Sequence, residues 1–282
     1  MTASSADFSL ACTAAALYVY PVKSCAALAV PELALDARGG AAGDRAWAIV
    51  DATDAVTWQG THPRLALVHP AFAGDGLRLA AGGVEPVDTP AALAPCRIKL
   101  WNELTARHDV FDAADAGAAV AAWLDRVVGA PLRLVKLGEA ARARENDNAL
   151  HLVFSASMVM VDAQLAGAGH PPADPRRYRP NIVLALPAGE AGLEFIEESL
   201  AALAWQGGAG ATRLDITAPC VRCAVPNVDP SSGGVDEAVL DTLALLSRRR
   251  RADGPVVFGV YARGPAGARL RVGDAAQLAL AF

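Results

Sequence analysis

The chain passes from a glycine-rich turn into a short apolar run at Gly39-Gly40-Ala41-Ala42-Gly43-Asp44-Arg45-Ala46-Trp47-Ala48-Ile49-Val50. Glycine permits tight turns, while tryptophan, isoleucine and valine favour strands, so the stretch predicts a strand that begins near Arg45. Comparable short apolar runs lie at Ala16–Tyr20, Leu65–Val68, Leu77–Ala80 and Cys96–Trp101. Such spacing is typical of a β-barrel or sandwich and disfavours alternating βαβ units.

Helical periodicity interrupts the strands in a few places. Apolar residues spaced at i, i+3, i+4, i+7 and i+8 predict a helix whose N-cap is Asp112: Val120, Trp123, Leu124, Val127 and Val128. Two more helices are predicted, from Ser155 or Ser157 to about Ala166 and over Val235–Arg251. The expected fold class is therefore α+β and strand-dominated.

A soft domain boundary is predicted inside the polar stretch Gly138–Asn148, which has the composition of a loop. The predicted domains are residues 12–137 and 138–282.

Composition excludes several classes of protein. The 282 residues hold 25 Lys and Arg against 30 Asp and Glu, and the net charge of −5 disfavours a nucleic-acid partner. No apolar run approaches the ~18 residues of a spanning helix, and no basic residue precedes Lys23, so neither a membrane nor secretion is expected. An odd count of 5 cysteines is no disulfide framework. We therefore expect a cytoplasmic protein.

The strongest chemical signal is Ala218-Pro219-Cys220-Val221-Arg222-Cys223-Ala224-Val225-Pro226-Asn227-Val228-Asp229-Pro230. Arg222 between two cysteines indicates a thiolate stabilised by positive charge. A zinc site would need two further ligands at similar spacing, and Pro226 and Pro230 disfavour the helix of a thioredoxin-like site. An alternative interpretation, a turn with two half-buried cysteines, remains open.

Three basic segments are candidates for anion binding. Lys23 and Ser24 follow a strand that Pro21 stops, and an ammonium with a hydroxyl can bind an anion there. Arg45 follows Asp44, which also fits a structural ion pair. The segment Arg176–Asn181 can clamp a phosphate or lie as a solvated loop.

In this order the segments resemble the MOSC superfamily with its N-terminal β-barrel domain. The nearest subgroup is the mitochondrial amidoxime reducing component and its bacterial relatives. The matching pieces are Tyr20–Cys25, Asp44–Trp47, Arg179–Val183, Pro219–Cys223 with Val228–Pro230, and Phe258–Tyr261. The resemblance implies an N-terminal β-barrel-like domain packed on a MOSC-type β-barrel domain with flanking helices. It also implies a molybdopterin-type molybdenum cofactor held between the two domains.

The resemblance also implies roles for individual residues. Cys223 is the implied molybdenum ligand, and Asp229 is a candidate for orienting water or relaying a proton. The implied contacts to the cofactor are Lys23, Ser24, Arg45, Ser157, Arg179, Asn181 and Tyr261. Relatives often carry an Asp-Gly-x-Pro-like loop where this chain has Asn146-Asp147-Asn148-Ala149. Compared with relatives, the segment between Phe195 and Thr212 is interpreted as an insertion.

The implied function is reduction of N-hydroxylated or other N-oxygenated compounds, in which the oxygen atom is abstracted at a cysteine-ligated molybdenum. Electrons would come from a separate donor protein, such as a ferredoxin, a flavoprotein or a cytochrome b5-like protein. Two alternatives stay open: a sulfur transferase that uses a Cys223 persulfide, and a non-catalytic carrier of molybdenum cofactor. Binding of pyridoxal phosphate by Lys23 is a weaker alternative.

Overall fold

The computed structural model describes residues 10–144, 149–187, 192–207 and 210–281. The strands of the first half are β1 (Ala11–Val19), β2 (Leu28–Ala29), β3 (Glu32–Ala34), β4 (Trp47–Val50), β5 (His69–Ala73), β6 (Gly76–Ala81), β7 (Val84–Asp88), β8 (Ala94–Asn102), β9 (Arg107–Asp115) and β10 (Arg133–Leu137). Those of the second half are β11 (Leu150–Phe154), β12 (Ile182–Ala185), β13 (Leu200–Gly207), β14 (Gly210–Val221), β15 (Val257–Arg263), β16 (Arg269–Arg271) and β17 (Ala275–Leu280). The helices are α1 (Ala118–Val128), α2 (Glu139–Arg144), α3 (Ser155–Gly167) and α4 (Ala238–Arg250). Strands dominate, which confirms the predicted α+β class.

Seven strands close into a barrel in the order β12, β11, β15, β14, β13, β17 and β1, and β1 returns to pair with β12. Neighbours are antiparallel except β11 and β12, which run parallel. Alternate residues point inward, so the interior is filled by apolar side chains such as Leu17, Leu152, Trp205 and Leu214. Helices α3 and α4 cover the outside of the barrel around Phe258.

The strand β1 belongs to this barrel although it lies within the first predicted domain, residues 12–137. Leu17 pairs with Ile182 of β12, and Cys12 pairs with Ala276 of β17. The chain therefore contributes one barrel strand first, leaves the barrel at Pro21 to build the remainder of the N-terminal part, and completes the barrel from β11 onward. The division at residues 137 and 138 stays a prediction.

A second sheet, in the order β4, β10, β9 and β8, forms the N-terminal part with the meander β5, β6 and β7. Both faces of β4 are buried, because Trp47 and Ile49 face one apolar cluster while Ala48 and Val50 face another. This explains why the run has no polar alternation.

Helix α1 packs on the second sheet with the predicted apolar face, and its five apolar residues are all buried. The indole Nε1 of Trp123 donates to the carbonyl oxygen of Glu85 at 2.7 Å. The predicted cap is wrong: Gly117 occupies the N-cap position, and Asp112 lies within β9, opposite Arg97.

Three local predictions are corrected. Leu65–Val68 is not a strand; Pro63–Leu67 forms a 3-10 helix, whose first turn Pro63 favours by fixing its own φ. Part of the predicted loop is α2, where Glu139 begins the helix and Arg144 ends it, in line with the helix dipole. Residues 145–148 lie outside the described residues. The segment interpreted as an insertion contains the barrel strand β13. In the described part of the chain, no helix is long and apolar enough to cross a bilayer.

Candidate functional site

A cavity of about 560 Å³ opens between the barrel and the N-terminal sheet. Its barrel wall includes side chains at the end of β14 and on β15, and its opposite wall comes from the loops after β1 and β4 and the end of β8. Six of the residues predicted from sequence line it together: Lys23, Ser24, Arg45, Arg179, Cys223 and Tyr261.

Cys223 presents an exposed thiol in this cavity. It lies between the end of β14 and the 3-10 turn Val225–Asn227. Arg177 fastens that turn from outside, since its Nη1 donates to the carbonyl oxygens of Pro226 at 3.1 Å and of Asn227 at 3.2 Å. The backbone after Cys223 is therefore held in place while the sulfur stays accessible.

Cys220, three residues earlier, is a buried thiolate behind the exposed cysteine. Its Sγ lies 3.0 Å from Nη1 of Arg222, which donates to it, and 3.1 Å from the hydroxyl of Tyr261. Burial alone raises the pKa of this thiol, but the charges of His151 and Arg222 outweigh burial and lower the pKa to about 5. The thiolate that the sequence predicted beside Arg222 is thus Cys220.

His151 lies beside this network on β11, whose other residues are apolar, and its ring centroid is 5.6 Å from that of Tyr261. Its Nδ1 lies 3.2 Å from the carbonyl oxygen of Arg179, and its Nε2 lies 3.2 Å from that of Phe258. Carbonyl oxygens only accept, so both contacts are hydrogen bonds when both ring nitrogens carry protons. Gly259 makes the space for the ring: a Cβ there would lie 2.5 Å from Nε2, and its φ is +75°.

The buried ring of Tyr20 supports two guanidinium groups. Arg179 lies 4.2 Å and Arg45 lies 5.4 Å from the ring centroid, within the range of cation–π attraction. The Tyr20 hydroxyl donates to the carbonyl oxygen of Pro180 at 3.2 Å. Asp44 forms an ion pair with Arg45 and accepts from the backbone N–H of Tyr20 at 2.7 Å. Two like charges, one from each part of the chain, are therefore held against one ring at the cavity.

Arg179 keeps one nitrogen for a ligand. Its Nη1 donates to the carbonyl oxygen of Cys25 at 2.7 Å, whereas its Nη2 is buried and has no hydrogen-bond partner. Burial lowers the pKa of Arg179 to about 10, which leaves the guanidinium charged at neutral pH. A buried cationic donor without a partner is suited to an anionic oxygen such as that of a phosphate.

Three of the cavity residues adopt a left-handed backbone, which is uncommon outside glycine. Their φ angles are +67° for Ser24, +46° for Arg45 and +57° for Arg179. Each costs on the order of 1 kcal/mol or more, and such residues cluster at ligand sites. The fold thus tolerates backbone strain at the three positions that orient these side chains into the cavity.

Two protein-family models match the chain: the MOSC N-terminal beta barrel domain over residues 11–131 and the MOSC domain over residues 139–277. The chain belongs to the MOSC family. The recognition from sequence is therefore confirmed, and the cavity of this MOSC protein lies between side chains from both matched regions.

Known proteins with similar sequences fall into two groups. The MOSC chain is 31% identical over 260 residues to the molybdenum cofactor sulfurase of Drosophila grimshawi, which covers 87% of this chain and 31% of that protein. It is 27% identical over 277 residues to mitochondrial amidoxime-reducing component 1 of Homo sapiens, covering 90% and 76% of the two chains. It is 26% identical to mitochondrial amidoxime reducing component 2 of Rattus norvegicus, covering 93% and 82%. The chain spans about a third of the length of the sulfurases it matches.

Asn181 holds the cavity from behind rather than lining it. Its Oδ1 accepts from the backbone N–H of His151 at 3.0 Å, and its Nδ2 donates to the carbonyl oxygen of Tyr18 and to Oδ1 of Asp44, both at 3.1 Å. This buried amide therefore connects β1, β11 and the loop of Arg45.

Ser157 and Asp229 are not among the residues that line the cavity. The hydroxyl of Ser157 donates to Oε2 of Glu197 at 2.8 Å, in the buried first turn of α3. Asp229 forms an ion pair with Arg177 at 2.9 Å and accepts from the backbone N–H of Ser231 at 2.9 Å. Asp229 thereby orients the arginine that fastens the turn after Cys223.

The cavity residues that sequence reasoning missed include Trp58, Trp101, Glu103 and His151. A histidine inside Leu150–Phe154 is a polar interruption of a buried run, and this was the available signal. The other three lie on a loop and a hairpin whose meeting point depends on the tertiary fold.

The donor set fits a cofactor rather than a bare metal ion. Within the described ranges, no group of three or more His, Cys, Asp or Glu side chains can hold a metal ion. The cavity offers instead one accessible sulfur and several cations, with the unpartnered Nη2 of Arg179 among them. This combination suits a metal that brings its own anionic organic ligand, as a molybdopterin-type cofactor does.

Proposed function

We propose that this MOSC protein is a molybdenum cofactor-dependent oxidoreductase that reduces N-hydroxylated and other N-oxygenated compounds. The observation that carries the proposal is the exposed Cys223 thiol in a cavity that also gathers Lys23, Arg45 and Arg179. The similarity to amidoxime-reducing components over most of both chains supports this reaction class.

In this proposal Cys223 ligates the metal, while Lys23, Ser24, Arg45 and Arg179 bind the anionic end of the cofactor. When bound, the cofactor supplies a two-electron redox centre that accepts an oxygen atom. The protein supplies a soft sulfur ligand and fixed positive charge. Because Arg45 and Arg179 are already oriented by Tyr20 and Asp44, little side-chain ordering is needed when a phosphate binds.

The overall reaction consumes two electrons and two protons: an N–OH bond becomes an N–H bond and water is released. The hydroxyl of Tyr261 faces the cavity and lies 3.1 Å from the Cys220 sulfur. An O–H group beside a buried thiolate can orient an oxygen-bearing substrate or the water that leaves. The electrons come from a separate donor protein, for which a ferredoxin, a flavoprotein and a cytochrome b5-like protein are the proposed classes.

The test combines metal analysis with turnover. Wild-type chain expressed in a host that makes molybdenum cofactor should contain molybdenum and reduce an amidoxime to its amidine with a chemical electron donor. The variant Cys223→Ala should lose both. Cys96→Ala is the matched control, because Cys96 lies on β8 away from the cavity and should change neither.

Equal molybdenum content in wild type and Cys223→Ala contradicts the proposal. The similarity to a molybdenum cofactor sulfurase makes sulfur transfer the second candidate. Cyanide-releasable sulfur on Cys223 in a metal-free protein would favour it. Bound cofactor without turnover under any reductant would favour a carrier.

A further inference from the structure

A buried carboxyl group that the proposed function does not use lies beside the first turn of α3. It belongs to Glu197, which is fully buried in the 3-10 turn Ile196–Ser199 and does not line the cavity. The hydroxyl of Ser157, also fully buried, lies 2.8 Å from Oε2 of Glu197, whereas Oε1 is buried and has no hydrogen-bond partner. A buried carboxylate normally needs a cation and full hydrogen bonding, so this group is suited to holding a proton.

The neighbouring charges do not neutralise Glu197. The titratable and charged side chains of its own segment and of the elements packed against it are Glu194 and Glu198, Asp162 on α3, His151 on β11, Tyr261 and Arg263 on β15, and Asp241, Arg248, Arg249, Arg250 and Arg251 on and after α4. Arg250 and Arg251 form ion pairs with Glu198, at 2.7 and 3.2 Å, and no basic side chain among the described residues forms one with Glu197. Burial therefore raises the pKa of Glu197 to about 7, and hydrogen bonding to the charged form offsets only part of this effect.

The backbone that leads into this turn is strained. Phe195 has a φ of +65°, a left-handed conformation that an aromatic residue keeps only when its surroundings enforce it. Its N–H donates to Oγ of Ser157 at 2.8 Å, the guanidinium of Arg250 lies 3.5 Å from its ring centroid, and the ring centroid of Phe258 is 6.3 Å away. Ser157 therefore contacts both the strained backbone and the buried carboxyl group. Because release of the segment would relieve the strain, its docking depends on these contacts.

We propose that Glu197 is a proton-sensitive latch for residues 195–199, which stay docked between α3 and α4 while its carboxyl group is neutral and are released when it ionises. An ionised carboxylate without a counter-charge is costly inside the protein and is stabilised by water once the segment opens. Release uncovers one side of Phe258, whose ring centroid lies 4.6 Å from that of Tyr178 in the cavity lining. The latch thus loosens the outer support of the cavity as the pH rises through neutrality.

The test is hydrogen exchange of the purified full chain, followed by mass spectrometry at pH 6 and at pH 8.5, with protection factors corrected for the intrinsic pH dependence of exchange. In the wild type, protection of peptides that cover residues 194–200 should fall about tenfold between the lower and the higher pH. Glu197→Gln places a neutral group of the same shape at this position and should show equal protection at both pH values. The measurement needs neither cofactor nor turnover, so its outcome is independent of the proposed function.

Glu198→Gln is the matched control, because Glu198 is the next residue in the chain and is paired with Arg250 and Arg251. It should lower protection at both pH values and keep the tenfold difference between them. Ser157→Ala retains the carboxyl group without its hydroxyl donor, so the fall in protection should move to higher pH, and this variant also serves if Glu197→Gln is unstable. Equal protection of the wild type at both pH values overturns the latch. So does a fall that persists in Glu197→Gln, disappears in Glu198→Gln or stays at the wild-type pH in Ser157→Ala.

Discussion

The two walls of the cavity are built in opposite ways. On the barrel wall, the Cys220 sulfur lies 3.0 Å from Nη1 of Arg222 and 3.1 Å from the hydroxyl of Tyr261. The ring centroids of Tyr261 and His151 are 5.6 Å apart. On the N-terminal wall, Trp58 and Trp101 expose a third to a half of their surface. Because buried groups contribute more to stability than exposed ones, substitutions on the barrel wall should cost more free energy of unfolding than substitutions of the exposed rings on the N-terminal wall.

The largest loss of stability is expected for Gly259→Ala, on the barrel wall. The new Cβ would lie 2.5 Å from Nε2 of His151 and 2.6 Å from the carbonyl oxygen of Leu152, at a φ of +75°. We expect a loss of about 4 kcal/mol in the free energy of unfolding, measured by urea denaturation. Gly169→Ala has a similar φ of +83° with nothing within 4 Å, so it should lose only about 1 kcal/mol. Equal losses of stability for the two variants would show that the close approach of Gly259 to His151 has no special role.

A second change removes the amide that connects the walls. Asn181→Ala leaves the backbone N–H of His151 without its hydrogen-bond partner and removes one of the donors to Asp44. The expected loss is about 2 to 3 kcal/mol in the free energy of unfolding. Asn102→Ala, at the end of β8, removes comparable bonds outside the core and should cost less than about 1 kcal/mol. A loss of stability from Asn181→Ala no larger than that from Asn102→Ala would contradict the role of Asn181 in connecting the two walls.

A third prediction concerns the charge on Cys220. The pKa of this thiol is lowered from an ordinary 9.0 to about 5 in the folded chain. The thiolate therefore stabilises the folded state, and this stabilisation is complete above pH 9. This stabilisation declines as pH falls from 9 and is lost below about pH 5. Ultraviolet thiolate absorbance should therefore show a titration near pH 5 that is missing in Cys220→Ser.

Cys96 provides the contrast, because burial raises the pKa of its thiol. Cys96→Ser should leave the low-pH absorbance change of the wild type intact. If Cys220→Ser also leaves this absorbance change intact, the assignment of a buried thiolate to Cys220 is wrong.

The smallest effect is expected on the N-terminal wall. Trp101→Ala removes a half-exposed ring that packs mainly on His108. The free energy of unfolding should fall by no more than about 1 kcal/mol. A loss as large as that at Asn181 would show that this wall is structural as well.

Local patterns were enough to predict the fold class and several elements. The apolar face of α1 and the strand over Cys96–Trp101 follow from the spacing of neighbouring residues. Helix α2 was missed because Glu139–Arg144 is polar and short, and contact with the N-terminal sheet stabilises it. Such contacts depend on residues distant in sequence.

The site was predicted unevenly for the same reason. Ordered motifs and the family resemblance identified Lys23, Arg45, Arg179 and Cys223, which do share one cavity. The charge state of Cys220 depends on His151, which lies on β11 rather than beside it in sequence. No pattern of neighbouring residues in the sequence indicates that His151 lies near Cys220.

The position of β1 in the barrel has a consequence for biosynthesis. Residues Ala11–Val19 leave the ribosome early, but their partners Ile182–Ala185 and Ala275–Leu280 are made much later. Apart from Tyr18 and Val19, which pair with β2, this strand is therefore paired late, and its apolar side chains need protection until Ala275–Leu280 has been made.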